Sequence, residues 1–281
     1  MKNINLIICI LFLFNVKALA QPKAKWVNLF NGKNLNGWDT YLGPELDSAG
    51  NRISKIPVGL NKDPMKVFTV VEQNGENIIR ISGQNWGGIS TKKEFANYHL
   101  QLKFKWGQLT WGKKRGLKKD SGLLYHAVGE QGAQNTPWMR SQEFQIEEGN
   151  TGDYWGVSGA VQDIPAIFKG DKNYVYSPAG NLVTFSVTST AGRHCMKSVD
   201  AEAPSGEWNT LDLYCFEDRS IYMVNGKVVM RLFNSSQSDN GQTTPLTKGK
   251  IQIQSEGAEI FYKQIKLQGV KQMPASVLKI H

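Results

Sequence analysis

Ser141-Gln-Glu-Phe-Gln-Ile-Glu-Glu-Gly149 alternates between polar and apolar side chains. Side chains of an extended strand point to opposite faces in turn, so Phe144 and Ile146 share one face of a predicted strand. The other face carries a polar row: Glu143, Gln145 and Glu147. Carboxylates accept hydrogen bonds and protons, and an amide both donates and accepts, so this row suits sugar hydroxyls and proton transfer. A solvated sheet face is the ordinary alternative for such a strand.

Alternation of this kind recurs along most of the chain. Between Tyr98 and Trp106 every second side chain is apolar, which predicts a sheet with one packed face and one wet face. Asn74-Gly75 and Asn225-Gly226 each separate two β-rich segments, and Asn-Gly tolerates the positive φ angles of tight hairpins. We therefore predict an all-β fold, a two-sheet antiparallel β-sandwich or jelly roll. The predicted strands cover residues 67–72, 77–82, 98–106, 121–126, 141–147, 182–188, 209–216, 221–233, 250–254 and 260–267.

Two stretches lack a strand pattern and are predicted to be long loops. They are residues 40–66 and residues 111–119, the second continuing into 129–140. Long loops inside compact domains often bind ligands. Several aromatic residues lie in or beside Gly-rich connections, and aromatic faces stack on sugar rings. The candidate ligand-binding aromatics are Trp111, Trp138, Tyr154 and Trp155.

The N-terminus has the pattern of a secretory signal peptide. Lys2 precedes an apolar run from Leu6 to Val16, and Ala18-Leu-Ala20 supplies a small-residue cleavage site. We predict a signal peptide over residues 1–20, one β-sandwich domain over 21–281, and a periplasmic or extracellular protein. The apolar run is shorter than the about 20 residues that span a bilayer, so no transmembrane segment is predicted.

The charge of the chain does not indicate a nucleic-acid partner. The formal net charge is +9, and loss of residues 1–20, which contain two lysines and no acidic residue, would leave +7. The basic residues are mostly single and scattered. The densest basic segment, residues 113–119, lies in a Gly-containing loop, so we expect it to form a solvated tip.

Neither cysteine nor histidine spacing predicts a metal site. Cys195 and Cys215 would remain after cleavage, and two cysteines alone leave open whether they pair. The histidines form no zinc-binding motif, and no phosphate-binding loop or serine-nucleophile motif is present. We predict no cofactor, although calcium stays open because it needs only oxygen ligands.

Glu143 and Glu147 invite comparison with glycosidases that use two carboxylates. Four residues along a strand separate the Cα atoms by about 13 Å, whereas the carboxyl groups of a retaining pair lie about 5–5.5 Å apart. A direct double displacement would therefore need a bulge or inward-leaning side chains. His126 ends the predicted strand 121–126, and would lie beside Glu143 if the two strands are neighbours. Further polar candidates are Asp120, Arg140 and Gln254.

An ordered set of motifs resembles the 3-keto-disaccharide hydrolase family, formerly known as domain of unknown function 1080. The opening motif is LFNGKNLNGW at residues 29–38. Each motif is weak alone, but the set is specific and covers nearly all of the chain after residue 20. The other motifs are Gly88–Phe95, Asp120–His126, Glu143–Ile146, Gly206–Asn209, Val224–Lys227, Gly249–Gly257 and Ile260–Leu267.

The resemblance implies a concanavalin-like β-sandwich that acts on glycosides whose sugar is oxidised at carbon 3. It also implies that Glu143 and Gln145 lie in the substrate pocket. Glu256 stands where many relatives carry histidine, which suggests a subgroup with altered substrate choice.

An oxidised substrate would make the chemistry simple. A ketone at carbon 3 acidifies the hydrogen on carbon 2, so one general base can start an elimination at carbon 1, which hydration then completes. We assign the base role to Glu143 and electrophilic or acid assistance to His126. Gln145 and Glu147 would position the substrate.

Two other functions remain open at this point, because one fold can serve many functions. A noncatalytic carbohydrate-binding module would bind glycans without releasing product. An ordinary retaining glycosidase using Glu143 and Glu147 would cleave unoxidised disaccharides.

Overall fold

The structure is a computed structural model and describes residues 25–278. The predicted signal peptide lies outside the described residues. One short helix, α1 (Ala275–Leu278), and two 3-10 turns, Gly112–Lys114 and Ala133–Asn135, accompany the strands. The strands are β1 (Val27–Asn28), β2 (Trp38–Leu46), β3 (Arg52–Leu60), β4 (Phe68–Gln73), β5 (Glu76–Ile81), β6 (Gly87–Thr91), β7 (Tyr98–Thr110), β8 (Asp120–Val128), β9 (Arg140–Glu147), β10 (Tyr154–Val157), β11 (Ala160–Phe168), β12 (Tyr174–Tyr176), β13 (Asn181–Phe185), β14 (His194–Cys195), β15 (Asn209–Phe216), β16 (Arg219–Val224), β17 (Lys227–Asp239), β18 (Gln242–Pro245), β19 (Lys250–Ser255) and β20 (Ala258–Gly269).

These strands form two antiparallel sheets, which confirms the predicted all-β sandwich. The smaller sheet has eight strands in the order β14-β10-β9-β8-β19-β6-β2-β3. The larger sheet has twelve strands, with the central order β11-β17-β16-β15-β7-β20-β5-β4. Both predicted Asn-Gly turns are present, and Asn74 and Asn225 adopt positive φ angles of 52° and 48°.

The core lies between the sheets and fixes the orientation of β9. The Phe144 ring stacks on Tyr222 of the larger sheet, with centroids 4.1 Å apart and planes 6° from parallel. The Tyr222 hydroxyl also donates a hydrogen bond of 3.1 Å to the Glu143 carbonyl oxygen. Because side chains alternate along a strand, burying Phe144 and Ile146 in this core sends the Glu143 side chain to the outer face.

The prediction of a long irregular loop over residues 40–66 is wrong. The segment forms a hairpin of β2 and β3, with β3 at the edge of the smaller sheet. Ile53 and Ile56 of β3 are 60% and 77% exposed. A strand exposed on both faces has no apolar alternation for the sequence to reveal. Pro44 and Pro57 stand opposite each other in this hairpin.

Several other strands were also missed by the alternation pattern. Most are too short, or too close to glycines and turns, to show a period of two. β11 is longer, but its buried positions carry Ala160, Gln162, Ile164 and Ala166, so its apolar alternation is weak. The missed strands are β1, β6, β10, β11, β12, β14 and β18.

The described residues also show the state of the two cysteines and the lengths of the helices. Cys195 and Cys215 are both buried and unpaired with each other, so they form no disulfide. Within residues 25–278, no helix is long and apolar enough to cross a membrane.

Replacing Phe144 with alanine should lower the free energy of unfolding by about 3–5 kcal/mol, because the change leaves a cavity beside Tyr222. Phe168→Ala is the matched control, since Phe168 is 58% exposed. Its loss should stay below about 1 kcal/mol. Urea denaturation of both variants measures the difference, and equal losses would contradict the described packing of β9.

Candidate active site

A pocket of about 250 Å³ lies on the outer face of the smaller sheet, opposite the core. Its floor crosses the neighbouring strands β10, β9, β8 and β19. Its rim comes from the β8–β9 connection and from the segment before β14. We call it the carboxylate pocket. It is lined by Asp120, Thr136, Trp138, Glu143, Gln145, Glu147, Trp155, Val157, Arg193, Gln254 and Glu256.

Gly122 leaves the space that two of these side chains occupy. It lies in β8 directly opposite Gln145 of β9. A Cβ atom at this position would collide with the Gln254 Oε1 atom and the Glu143 Oε1 atom. The glycine of the Asp120–His126 motif therefore permits Glu143 and Gln254 to converge over the middle of the floor.

Glu143 is the predicted catalytic residue whose pKa changes most. Its side chain projects into the pocket although the residue is only 6% exposed. Burial raises the pKa of Glu143 to about 8, and the negative charge of Asp120 adds to the increase. Arg193 and a hydrogen bond from Gln254 oppose it. A carboxyl group with this pKa exchanges protons near neutral pH.

Asp120 lies at the other side of the floor and is also buried. Burial raises the pKa of Asp120 to about 6, while Lys114 lowers it by charge and by hydrogen bonding. The Lys114 ammonium donates to Asp120 Oδ2 and lies 3.6 Å from Glu147 Oε1. Gln145 Nε2 donates to Asp120 Oδ1 at 3.3 Å. The β8–β9 register places Asp120 opposite Glu147. Lys114 links these two carboxylates and Gln145 is bonded to Asp120, so the side chains form one connected polar group.

The expectation that residues 113–119 form a solvated tip is wrong for Lys114. Its side chain is only 20% exposed and packs over Gly257, where an added Cβ would fall 2.8 Å from Lys114 Cγ. Burial opposes the charge on Lys114, but the carboxylates of Asp120, Glu256 and Glu147 outweigh it and raise the lysine pKa. A contact between distant chain segments carries no local sequence signal.

Glu256 is a pocket residue absent from the candidates chosen by alternation. It follows β19, two residues after Gln254, and lines the same cavity. Burial raises the pKa of Glu256 well above its usual range, and the charges of Asp120 and Glu143 act in the same direction. Alternation could have indicated this residue, because side chains two positions apart in an extended segment, such as Gln254 and Glu256, point to the same face.

Two amide oxygens in the pocket have no partner among the described residues. They are Gln145 Oε1 and Gln254 Oε1, and both residues are buried. A buried acceptor without a donor is costly, so these oxygens favour a ligand that donates hydrogen bonds. Sugar hydroxyl groups are such donors.

Aromatic walls stand on two sides of the pocket. Trp138, a predicted ligand-binding residue, lines one side and anchors its Nε1 on the Gly87 carbonyl at 2.8 Å. Trp155 lines the other and stacks on His194, with ring centroids 4.3 Å apart. Tyr154, also predicted, faces inward, and its hydroxyl donates to Gln142 Oε1 at 2.7 Å. Adjacent strand residues face opposite sides, so only Trp155 reaches the pocket.

His126 does not reach the pocket, which corrects the prediction that it lies beside Glu143. A β-bulge shifts the β8–β9 register after Tyr125, and His126 has a φ of 50°. The ring therefore turns into the core, where Nδ1 donates to the Leu246 carbonyl at 2.9 Å. Burial lowers the pKa of His126 to about 4, so the ring is neutral.

Two other predicted binding residues have structural partners elsewhere. Arg140 pairs with Asp239 through two hydrogen bonds and donates from Nε to the Ser158 carbonyl at 2.6 Å. Trp111 donates from Nε1 to the Ser82 carbonyl at 2.8 Å and lines a different depression. Neither side chain lines the carboxylate pocket.

Arg193 is the one cation among the described residues that line the pocket. Its guanidinium lies over the Trp155 ring, 5.1 Å from the centroid. Its Nη1 donates to the Gly156 carbonyl at 3.4 Å. These contacts point the charge toward Glu143, whose pKa it lowers. Arg193 lies between regular strands, where alternation gives no signal.

The carboxylates do not form a metal site by geometry. Across residues 25–278, no cluster of three or more histidine, cysteine, aspartate or glutamate side chains is arranged to bind a metal ion. The donor set instead combines proton-exchanging carboxyl groups with unsatisfied amide acceptors, which suits an organic ligand rich in hydroxyl groups.

Residues 25–268 match the model of the 3-keto-alpha-glucoside-1,2-lyase-like domain family. No curated protein matches the chain. Two solved structures from Parabacteroides distasonis ATCC 8503, each described as a "putative glycosyl hydrolase", are 17% and 19% identical, with TM-scores of 0.49 and 0.48. Each alignment covers 88% of this chain, and 94% and 100% of the other chains. The carbohydrate-binding module CBM66 from Bacillus subtilis is 8% identical over 72% of this chain and 92% of its own, with a TM-score of 0.41.

Burial of Glu143 should make folding stability depend on pH. Its pKa rises from about 4.5 to about 8 on folding, so the folded state binds the proton more tightly. The contribution of Glu143 to stability is therefore fully present below about pH 4.5 and is lost as pH rises through about 8. Glu143→Gln removes this dependence, so its melting temperature should gain on the wild type from pH 5 to pH 8 and then level off.

Thermal melts at pH values from 5 to 9 measure this gain. Glu94→Gln is the control, because Glu94 lies on the surface and pairs with Lys248. A pH-independent difference between Glu143→Gln and the wild type would show that the carboxyl group is not buried as described.

Proposed function

Because this chain belongs to the 3-keto-alpha-glucoside-1,2-lyase-like family, we propose that it cleaves glycosides whose sugar carries a ketone at carbon 3. One observation supports this most directly: the buried Glu143 carboxyl group projects into a cavity that also presents unsatisfied amide acceptors. A proton acceptor and fixed positions for hydroxyl groups are two of the requirements of the reaction.

The reaction is an elimination followed by hydration. A base removes the proton on carbon 2, and the electron pair moves toward the carbon 3 carbonyl to give an enolate. The enolate then expels the oxygen on carbon 1, which takes up a proton as it leaves. Water adds to the resulting double bond to give the free 3-keto sugar, so the overall result is hydrolysis.

Glu143 is the base in this scheme. A carboxylate whose pKa is raised to about 8 is a stronger base than an ordinary glutamate, although only a minority of molecules carry the charge at pH 7. Burial of Glu143 thus reduces the fraction of molecules in which it is ionised and makes the ionised carboxylate a stronger base.

Arg193 takes the electrophilic role that the sequence assigned to His126. The enolate oxygen needs a donor or a positive charge, and a fixed guanidinium in a sheltered pocket supplies both. His126 is inside the core and neutral, so it can do neither.

Glu256 is suited to protonate the leaving oxygen. Burial raises the pKa of Glu256 well above its usual range, which favours the protonated form, and Glu256 lines the pocket close enough to Glu143 for their charges to interact. Gln145 and Gln254 would receive substrate hydroxyl groups on their free Oε1 atoms. Glu147 is held by Lys114 and Asn150, and supports Gln145 and Asp120 at one end of the pocket.

The two alternative functions are less consistent with the site. β9 pairs regularly with β8 from Gln142 to Glu147, so no bulge between Glu143 and Glu147 brings them together as a retaining pair. A noncatalytic binding module would use the tryptophan walls and free amides, but it would not need a buried carboxyl group that titrates near neutral pH.

We also propose that the enzyme acts after export. The support is the signal-peptide pattern over residues 1–20 and the A-x-A site before Gln21. N-terminal sequencing of the exported protein tests it: a mature chain that begins near Gln21 is expected.

Glu143→Gln should reduce kcat/KM for a 3-keto disaccharide by about 10²–10⁴-fold, because it keeps the shape of the side chain and removes the base. In the wild type, kcat/KM should rise with pH and level off above about pH 8, since the ionised base is the active form. Sugar release from matched native and 3-keto disaccharides measures both. Near-normal turnover by Glu143→Gln would reject the base assignment, and cleavage of only the native sugar would reject the substrate class.

Arg193→Gln should reduce kcat by about 10²–10³-fold through loss of charge stabilisation at the enolate oxygen. It should also move the rise of the pH profile to higher pH, because Arg193 lowers the Glu143 pKa. Arg193→Lys keeps the charge and should retain part of the activity. Arg219→Gln, on the exposed edge of β16, is the control. An unshifted pH profile with kcat within twofold of the wild type would exclude Arg193 from the reaction.

A further inference from the structure

A second depression adjoins the carboxylate pocket along the β2–β3 hairpin. It has a volume of about 400 Å³, and we call it the hairpin groove. The β2–β3 turn supplies most of its wall. It is lined by Leu46, Gly50, Asn51, Arg52, Trp86 and Lys113.

A pair of tryptophans connects the groove to the pocket. Trp86 lines the groove and Trp138 lines the pocket. Their rings stack with centroids 6.1 Å apart and planes 19° from parallel. Both residues are half-buried, so part of each ring is accessible. The two cavities therefore meet at a stacked pair of aromatic rings, and the accessible part of each tryptophan can contact a sugar ring in its own cavity.

Contacts from three chain segments fix the shape of the groove. Arg52 Nη2 donates to the Asn135 carbonyl at 3.1 Å, which ties the hairpin to the connection that carries Trp138. On the other side Gly50 packs against the turn after β7, and a Cβ on Gly50 would fall 2.8 Å from the Lys113 backbone nitrogen. The groove is thus formed before any ligand binds, so a ligand would not need to order it.

The groove and the pocket have opposite hydrogen-bonding character. Carboxyl groups and free amide oxygens dominate the pocket, so it favours ligand groups that donate. Arg52 and Lys113 bring charged donors to the groove, while the Asn51 amide nitrogen already donates to Asp47. A ligand part in the groove is therefore selected for its acceptors, such as ring, hydroxyl or carboxylate oxygens.

We infer that the hairpin groove is a second sugar-binding subsite, which receives the third pyranose ring of the glycan, counted from the oxidised ring in the carboxylate pocket. The ring stacks on Trp86, and its oxygens accept hydrogen bonds from Arg52 and Lys113. This placement rests on the proposed function, since it takes the carboxylate pocket as the position of the oxidised sugar. The substrate class is then an oligosaccharide of three or more rings, in preference to a disaccharide.

A series of glycans of increasing length tests the subsite. Binding constants are measured by calorimetry for an unoxidised glucose disaccharide and trisaccharide, and kcat/KM for the same pair with a 3-keto end ring. The wild type should gain about tenfold from the third ring, which corresponds to about 1.4 kcal/mol. A second trisaccharide, in which the third ring is glucuronate, is compared with the neutral one. Whichever trisaccharide shows the larger gain in affinity and kcat/KM tells whether the groove prefers a carboxylate-bearing or a hydroxyl-bearing ring.

Substitutions of groove residues test whether the gain from the third ring arises in the groove. Trp86→Ala and Lys113→Gln should each remove most of the gain and leave the disaccharide constants within about twofold of the wild type. Trp208→Ala, on the larger sheet, is the control and should keep the gain. The inference is overturned if the third ring adds nothing in the wild type, if the gain survives both substitutions, or if Trp86→Ala weakens disaccharide and trisaccharide equally.

These outcomes separate the subsite from the proposed chemistry. Length-dependent binding of unoxidised glycans that Trp86→Ala abolishes would support the groove even if no 3-keto glycoside is cleaved, and the proposed reaction would then fail alone. Cleavage of 3-keto disaccharides without any gain from a third ring would support the reaction and overturn the subsite.

Discussion

The packing of Phe144 against Tyr222 determines what the rest of the site can be. It turns one face of β9 into the core, and the hydrogen bond from the Tyr222 hydroxyl to the Glu143 carbonyl fixes the backbone at the residue whose side chain points outward. Because the period of a strand is two, a one-residue shift of register would exchange the buried ring for the carboxyl group. The Glu143 side chain is therefore held in position by the packing of the core beneath it. Its orientation comes from a strand and does not depend on a loop.

Electrostatics then gives three carboxyl groups of the pocket raised but differently balanced pKa values. The pKa of Asp120, raised to about 6, is lower than the pKa of about 8 of Glu143, because Asp120 has a lysine beside it. Burial raises the pKa of Glu256 well above its usual range, and the charges of Asp120, Glu143 and Glu147 add to the increase. Environments that separate the pKa values of neighbouring carboxyl groups are the basis on which acid and base roles are divided in general acid–base catalysis.

Sequence alone predicted the parts of the molecule that follow the period of two. The sandwich, the polar row of β9 and the pocket positions of Asp120 and Gln254 all follow from alternation along regular strands. His126 was misplaced because a bulge interrupts that period, and Tyr154 because its neighbour has the outward position. Arg193 lines the pocket from a connection between strands, and Lys114 contacts the pocket residues Asp120 and Glu147 from another. Lys114 is positioned by packing on Gly257, which is distant in sequence, and no local pattern encodes such a contact. The β2–β3 hairpin was missed because exposure on both faces removes the apolar signal.

The two opposed prolines interrupt the main-chain hydrogen bonding of the β2–β3 hairpin. Pro44 and Pro57 face each other across β2 and β3, so neither strand can offer a backbone N–H at that rung, and the register shifts immediately beyond it. The segment past the prolines is consequently weakly coupled to the sheet through main-chain bonding. Its attachment relies instead on its outer end, where Arg52 meets the Asn135 carbonyl and Gly50 abuts the turn after β7. Evolution of this tip can therefore proceed with little disturbance to the strands beneath, which makes it the part of the molecule most open to change in length and composition.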